Sequence, residues 1–237
     1  MLEEYKVNIA DNADSIINRV NKEKIYIEFV ESQQQGFMRF INYINFVVDT
    51  LKKKARISPF IEIRARIKDI NSALKNYNEE RMLDDVFGVE IICANEDEKI
   101  VIKNELERYF RTTRTKNHNK PNGYKAEHES YSIKKNVETD EWNLQANDVP
   151  VVECQFKTIE VELNPTASHH DYKVVNKEEI QKLLKTKTLK IGKEIPRMWV
   201  SRENGMIELS YKEIIQRIYP FVDVTKIKEV EKEENIK

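Results

Sequence analysis

A carboxylate, an amide and an ammonium group alternate along one predicted strand of this chain. Glu153, Gln155 and Lys157 stand between apolar residues in the segment 150–159, and alternate side chains of a strand project from one face. Asp85 opens a second strand-like segment. Magnesium prefers one or two protein carboxylates together with phosphate oxygens. We therefore predict that Asp85 and Glu153 share Mg²⁺, although each segment alone is more typical of a solvent-facing strand or a turn.

A glycine turn presents an aromatic side chain in the same part of the sequence. Asn122-Gly123-Tyr124 is typical of a turn in which Gly123 adopts a positive φ. Tyr124 would leave this turn with its ring able to stack on a nucleobase, a contact worth about 1–3 kcal/mol. His128 lies on the same predicted strand face as Tyr124. The pattern predicts recognition of a nucleotide, and a packed tyrosine is the alternative.

Basic side chains surround these positions in two groups. One group lies on the first predicted strand and helix, and the other flanks the glycine turn. If the two groups converge they can neutralise a polyphosphate, and otherwise they are solvated. The side chains are Arg64, Arg66, Lys68, Lys75, Arg111, Arg114, Lys116, Lys120 and Lys125.

The remaining sequence supplies the elements that would position these residues. Apolar periodicity predicts helices at 1–58, 96–110, 178–185 and 210–219, strands at 60–68, 86–93, 126–133 and 150–159, and a hairpin within 197–209. The polar and basic segment 111–122 is predicted as a loop. Strands interleaved with helices indicate an α/β or α+β layer with helices packed on a sheet. We expect an N-terminal helical segment (1–58), a core (59–175) and a C-terminal helix–hairpin–helix extension with a charged tail (176–237).

Composition limits the classes of function. The 237 residues include 40 basic and 41 acidic side chains, so contact with nucleic acid would require a local basic patch. Cys93 and Cys154 lie in apolar segments and are predicted to be reduced core thiols. The sequence has neither a signal-peptide pattern nor an apolar stretch of membrane-spanning length. We therefore expect a cytoplasmic protein without membrane association.

The order of the motifs resembles the RelA/SpoT-type alarmone synthetase domain over residues 60–173. The resemblance implies an α+β fold, with a mixed five-stranded sheet flanked by helices and related to nucleotidyltransferases. It also implies that the β,γ-pyrophosphoryl group of ATP is transferred to the 3′-hydroxyl group of a guanosine nucleotide. The motifs are Arg66-x-Lys68-x-x-x-Ser72, Asp85-x-x-Gly88, Lys120-Pro-Asn-Gly-Tyr124 with His128, Val152-Glu-x-Gln-Phe156 and His169-x-x-Tyr-Lys173.

The resemblance also implies a role for each candidate residue. Asp85 would bind Mg²⁺, and Glu153 would bind Mg²⁺ or orient and deprotonate the attacking hydroxyl group. Tyr124 would stack on the acceptor base with His128 nearby. The ATP side would be formed by Arg66, Lys68 and Lys75, and the acceptor side would also include Lys120, Lys125, Gln155 and Lys157.

Among the positions that depart from the family pattern, two lie on predicted strands of the site. The family usually has arginine where this chain has Glu90 and Lys157, and lysine cannot reproduce the bidentate fork of arginine. Three functions therefore stay open: a small alarmone synthetase that uses ATP and GDP or GTP, which we favour; a toxin-like pyrophosphokinase that modifies the 3′ end of tRNA; and a catalytically silent nucleotide-binding module. A homo-oligomer or an antitoxin partner is also left open.

Overall fold

The computed structural model describes residues 2–75, 85–119, 125–133, 150–163, 177–203 and 205–227. For residues 2–17, 119, 125 and 133 it describes the backbone alone. Within these ranges, no helix combines the length and the apolar character needed to cross a membrane.

A long N-terminal helix, α1 (Leu2–Lys53), covers one face of the sheet. Its second half carries apolar residues at three- and four-residue spacing, which places them on one side of the helix. Phe37, Phe40, Ile41 and Ile44 are fully buried and belong to the main core. The helix predicted for 1–58 is therefore present, and it ends at Lys53.

The sheet is mixed and has seven strands among the described residues. The strands are β1 (Glu62–Ile67), β2 (Phe87–Cys93), β3 (Phe110–Asn119), β4 (Lys125–Ile133), β5 (Val152–Thr158), β6 (Arg197–Arg202) and β7 (Gly205–Glu208). Their order is β3-β4-β5-β2-β1-β6-β7. Strands β2 and β5 are parallel, and the other neighbouring pairs are antiparallel. The α+β class is confirmed.

The expected five-stranded sheet is wrong in strand number. The predicted hairpin forms β6 and β7, and β6 pairs with the otherwise open edge of β1. Trp199 and Val200 of β6 are buried, so apolar packing fixes the hairpin against the sheet. The domain boundaries near residues 58 and 175 stay a prediction.

The loop predicted for 111–122 is also wrong over 111–119, because β3 occupies Phe110–Asn119, and residues 120–122 lie outside the described residues. Strand β3 is an edge strand whose side chains are mostly exposed. An exposed edge strand does not need alternating apolar residues, and charged side chains there prevent pairing with other chains. The sequence of β3 therefore lacks the pattern that identifies the half-buried strands.

Helices pack around the sheet. They are α2 (Ile70–Lys75), α3 (Glu96–Leu106), α4 (Ile159–Leu163), α5 (Lys177–Thr186) and α6 (Tyr211–Ile218), followed by a 3₁₀ turn at Val224–Lys226. Residues of α1 and α3 share the main core with the apolar sides of β1, β2 and β5. Cys93 and Cys154 are buried there as free thiols, as predicted.

Candidate active site

The sheet carries polar side chains on the face opposite α1 and α3, which we call the polar face. Residues paired in register across neighbouring strands share a face. The register therefore aligns two rows of residues across four strands. One row contains Arg66, Gly88, Glu153 and Ser130, and the next contains Arg64, Glu90, Gln155 and His128.

Glu153 is held by two neighbours on the polar face. Gln155 Nε2 donates a hydrogen bond to Glu153 Oε1 at 2.8 Å, and His128 Nδ1 lies 3.4 Å from the same oxygen. Burial raises the pKa of Glu153, but the hydrogen bonds from His128 and Gln155 and the charges of His128 and Arg66 outweigh it and lower the pKa to about 2. The Glu153 carboxylate is therefore ionised at neutral pH.

Asp85 forms an ion pair with Lys68, whose side chain projects from the polar face. Lys68 continues the alternation of β1 beyond Ile67, and its Nζ lies 2.5 Å from Asp85 Oδ2. The Asp85 side chain is 41% exposed, so it is accessible to a ligand. Asp85 also precedes β2, in which Gly88 is the register partner of Glu153. Both predicted carboxylates thus belong to one face of the sheet.

Arg66 lies on the same row of the polar face as Glu153. Its side chain crosses Gly88, where a Cβ would stand 3.2 Å from Arg66 Nε. The charge of Arg66 helps to lower the pKa of Glu153. Among the described residues, no hydrogen bond or ion pair is made by the guanidinium group of Arg66, which suits it to an anionic ligand.

Glu90 and Lys157, the two residues that stand where the resemblance would lead us to expect arginine, form an ion pair with each other. Glu90 Oε1 accepts a hydrogen bond from Lys157 Nζ, and Glu90 Oε2 accepts one from Arg64 Nη1 at 3.0 Å. Burial raises the pKa of Glu90, but the charges of Lys157 and Arg64 and their hydrogen bonds outweigh it and lower the pKa to about 2. Glu162 of α4 also contacts Arg64 and lies 3.8 Å from Lys157 Nζ. We call these four residues the buried ion network.

Carboxylate oxygens are the donor type that a magnesium ion prefers, and the Mg²⁺ site at Asp85 and Glu153 stays a prediction. Each described contact to Asp85 uses Oδ2 and each described contact to Glu153 uses Oε1, so among the described residues the other oxygen of each group takes no part in these contacts. Across the described ranges, no group of three or more His, Cys, Asp or Glu side chains is arranged to hold a metal ion. Asp85 and Glu153 would therefore need phosphate oxygens of a nucleotide to complete the coordination of Mg²⁺.

The other predicted site residues are placed as follows. Gln155 and His128 adjoin Glu153, whereas Lys157 is 7% exposed within the buried ion network. Lys75 is exposed at the end of α2. Lys120 and Tyr124 lie outside the described residues, as does the side chain of Lys125.

Sequence reasoning did not identify the buried ion network. The alternation of β1 indicates the face on which Arg64 lies, and the alternation of β2 does the same for Glu90. Neither pattern reveals that β2 lies between β1 and β5. One feature of the sequence could have indicated the network. Glu90 and Lys157 both stand where the resemblance would lead us to expect arginine, and their opposite charges compensate each other.

The chain is similar to solved structures of two bacterial proteins. One is smu.1046c from Streptococcus mutans UA159, with 17% identity and a TM-score of 0.45 over 65% of this chain and 84% of that one. The other is the small alarmone synthetase 1 from Bacillus subtilis, with 15% identity and a TM-score of 0.43 over 67% of this chain and 86% of that one. No protein-family model and no curated protein sequence matches the chain. Likenesses of this size do not assign a function.

Proposed function

We propose that this chain is an ATP-dependent pyrophosphokinase that acts on the 3′-hydroxyl group of a guanosine nucleotide. The observation that carries the proposal is the common sheet face of Glu153, Arg66 and the Lys68–Asp85 pair. This face combines two carboxylates suited to Mg²⁺ with cations suited to a polyphosphate.

The reaction is a displacement at phosphorus. The 3′-oxygen attacks the β-phosphorus of ATP, the bond from that phosphorus to the α–β bridging oxygen breaks, and AMP leaves. Such a transfer depends on positioning and charge compensation more than on covalent chemistry. Mg²⁺, held by Asp85 and Glu153, would neutralise charge on the ATP phosphates.

The charge state of Glu153 favours one of its two predicted roles. A general base works best when its pKa is near the working pH, and the pKa of Glu153 is about 2. We therefore assign Glu153 to metal binding and to accepting a hydrogen bond from the attacking hydroxyl group. The hydroxyl proton passes to solvent.

The other candidate residues divide between donor and acceptor. Arg66, Lys68 and Lys75 would contact ATP, whereas His128 and Gln155, beside Glu153, would orient the acceptor. Tyr124 would stack on the acceptor base, and Lys120, Lys125 and Lys157 would contact its phosphates. A phosphate contact from Lys157 would require its ion pairs with Glu90 and Glu162 to open.

The buried ion network favours a second candidate acceptor, the 3′ end of tRNA. Arg64 and Lys157 are the cations of the network, and the carboxylates of Glu90 and Glu162 already neutralise them. A polynucleotide 3′ end has no free 5′-diphosphate that would need these cations. Neutralised cations thus suit this acceptor better than they suit GDP or GTP.

One assay separates the candidates. The purified protein is incubated with Mg²⁺ and γ-labelled ATP, together with GDP, GTP or deacylated tRNA. Label in a guanosine nucleotide supports the main proposal, and label on tRNA supports the second. Label in neither product, with ATP still bound, would indicate a silent nucleotide-binding module.

Substitutions of the site carboxylates need a matched control elsewhere in the sheet. Glu208→Gln, at the far edge of the sheet in β7, serves as that control.

A further inference from the structure

The edge strand β3 sorts its side chains by charge. Arg111, Arg114, Lys116 and His118 are paired in register with Ser132, Ser130, His128 and Ala126 of β4. Those four positions alternate along β4, so the four basic side chains share the polar face. The remaining polar residues of β3 on the other face are uncharged threonines and asparagines. We call Arg111, Arg114, Lys116 and His118 the basic strip.

A β-bulge produces this sorting. The register between β3 and β4 shifts between Thr112 and Arg114. Without the extra residue, Arg111 and Arg114 would lie on opposite faces because side chains of a strand alternate. A bulge re-aims side chains in this way. The bulge therefore adds a third long cationic side chain to the polar face.

The basic strip is accessible and continues the rows of the site. Arg111, Arg114 and Lys116 are exposed. Arg114 extends the row that contains Glu153, and Lys116 extends the row that contains His128. An anionic chain bound along β3 would therefore reach the candidate active site directly.

The geometry suits an extended polyanion with flat rings. Alternate residues of a strand are about 7 Å apart, so a single phosphate cannot meet all the cations, whereas a chain of phosphates can. The ring of His118, the last residue of the strip, lies 4.3 Å from the ring of His128, which adjoins Glu153. Bases of single-stranded nucleic acid stack on such rings.

Protection of the sheet edge is an alternative reason for charges on β3. Charged residues on an edge strand hinder pairing with other chains, but this effect needs no particular face. Protection alone therefore does not account for basic residues on one face and uncharged residues on the other.

We propose that the basic strip of β3 binds the phosphodiester backbone of a single-stranded polynucleotide and brings the end of that polynucleotide to the candidate active site. The strip adds a binding activity that is independent of which acceptor the site uses. It also supplies the local basic patch that the chain, with its net charge of −1, needs for such a partner.

A face-swap variant tests this binding. Lys116→Thr combined with Thr115→Lys keeps the composition of β3 and moves one cation to the opposite face. We expect the swap to weaken binding of a fluorescent single-stranded RNA about tenfold, and the logarithmic salt slope to become shallower by about 0.7, the loss of one phosphate contact. Arg111→Gln with Arg114→Gln should remove about twice that slope. Fluorescence anisotropy at several salt concentrations measures both quantities, and thermal unfolding checks that the variants fold.

Three outcomes would overturn the proposal. They are absence of binding of both single-stranded RNA and single-stranded DNA by the unmodified chain, equal binding by the face-swap variant, and binding of a fluorescent polyglutamate that is equal to or tighter than that of both nucleic acids. A single-stranded DNA of the same sequence reports whether the strip distinguishes the two sugars, and tighter binding of either nucleic acid than of polyglutamate supports the proposal. If the chain transfers no pyrophosphoryl group but still binds RNA more tightly than the face-swap variant does, the proposed function is rejected. The proposal that the basic strip binds a polynucleotide is then retained.

Discussion

The guanidinium group of Arg66 crosses the α-carbon of Gly88 on the neighbouring strand, with 3.2 Å between Arg66 Nε and the position that a Cβ would occupy. Because Gly88 has no side chain, Arg66 can lie flat along the row that leads to Glu153. The charge of Arg66 also helps to lower the pKa of Glu153. The glycine of the Asp-x-x-Gly motif thus positions a cation.

The first prediction concerns Gly88→Ala. The added methyl group must move Arg66 by a few tenths of an ångström, and the flexible arginine can give way, so the fold should be retained. Misplacing a phosphate-binding group should lower kcat/KM for ATP by an amount on the order of tenfold. Steady-state kinetics measure this effect. In an Arg66→Ala background, Gly88→Ala should have little further effect because the two residues act through one contact. Additive losses would show that Gly88 acts independently of Arg66.

The second prediction concerns Glu153→Gln. The substitution keeps the shape of the side chain and removes its charge, so transfer should fall by at least about 100-fold, the loss expected for a preorganised charge in an active site. Thermal unfolding should show a folded variant, and Glu208→Gln should retain full activity. Turnover close to that of the unmodified chain would remove Glu153 from the mechanism.

The same residue gives a distinct pH profile. Since the pKa of Glu153 is about 2, its ionisation should not appear in the kcat/KM profile between about pH 5 and pH 8. An acidic limb, with activity lost below about pH 6 or 7, that disappears in Glu153→Gln would identify Glu153 as the general base and contradict the metal-binding role.

Sequence patterns predict the strands that have a buried face, but they do not predict the exposed edge strand β3. Strands β1, β2, β4 and β5 alternate or form apolar runs because one face packs on the core, and each was predicted. Strand β3 has no buried face along most of its length, so its composition indicated a loop. The seventh and sixth strands were predicted as a hairpin, but their attachment to β1 depends on long-range packing around Trp199.

The sequence predicts on which face of the sheet each side chain of the candidate site lies, but it does not predict which side chains of other strands it contacts. Alternation correctly placed Glu153 and Gln155 on one face, and their hydrogen bond follows from that placement. The ion pair between Glu90 and Lys157 joins two parallel strands that are distant in sequence. Only the strand order brings these two residues together, and alternation carries no information on strand order.

The third prediction concerns Tyr124→Ala. If the ring stacks on the acceptor base, its removal should raise the acceptor KM about tenfold or more, the equivalent of the lost stacking energy. The ATP KM should change little. Tyr124→Phe is the matched control, because it keeps the ring and should retain acceptor affinity. Equal increases in both KM values for Tyr124→Ala would count against stacking on the acceptor.

The fourth prediction concerns stability in acid. The pKa of Glu90 is lowered from 4.5 to about 2 because Lys157 and Arg64 stabilise its charge against the effect of burial. The unfolded chain therefore binds a proton at a higher pH than the folded chain does. The stabilising effect of Glu90 is complete above about pH 4.5 and is lost as the pH falls towards 2.

Urea unfolding at a series of pH values tests this effect. The free energy of unfolding should fall as the pH is lowered from about 4.5 to 2, and Glu90→Gln should reduce the slope by up to about 1.4 kcal/mol per pH unit, the contribution of one proton. Glu208→Gln, in an exposed pair with Arg197, should leave the slope nearly unchanged. An unaltered slope in Glu90→Gln would mean that Lys157 and Arg64 do not hold the Glu90 carboxylate as the structure describes.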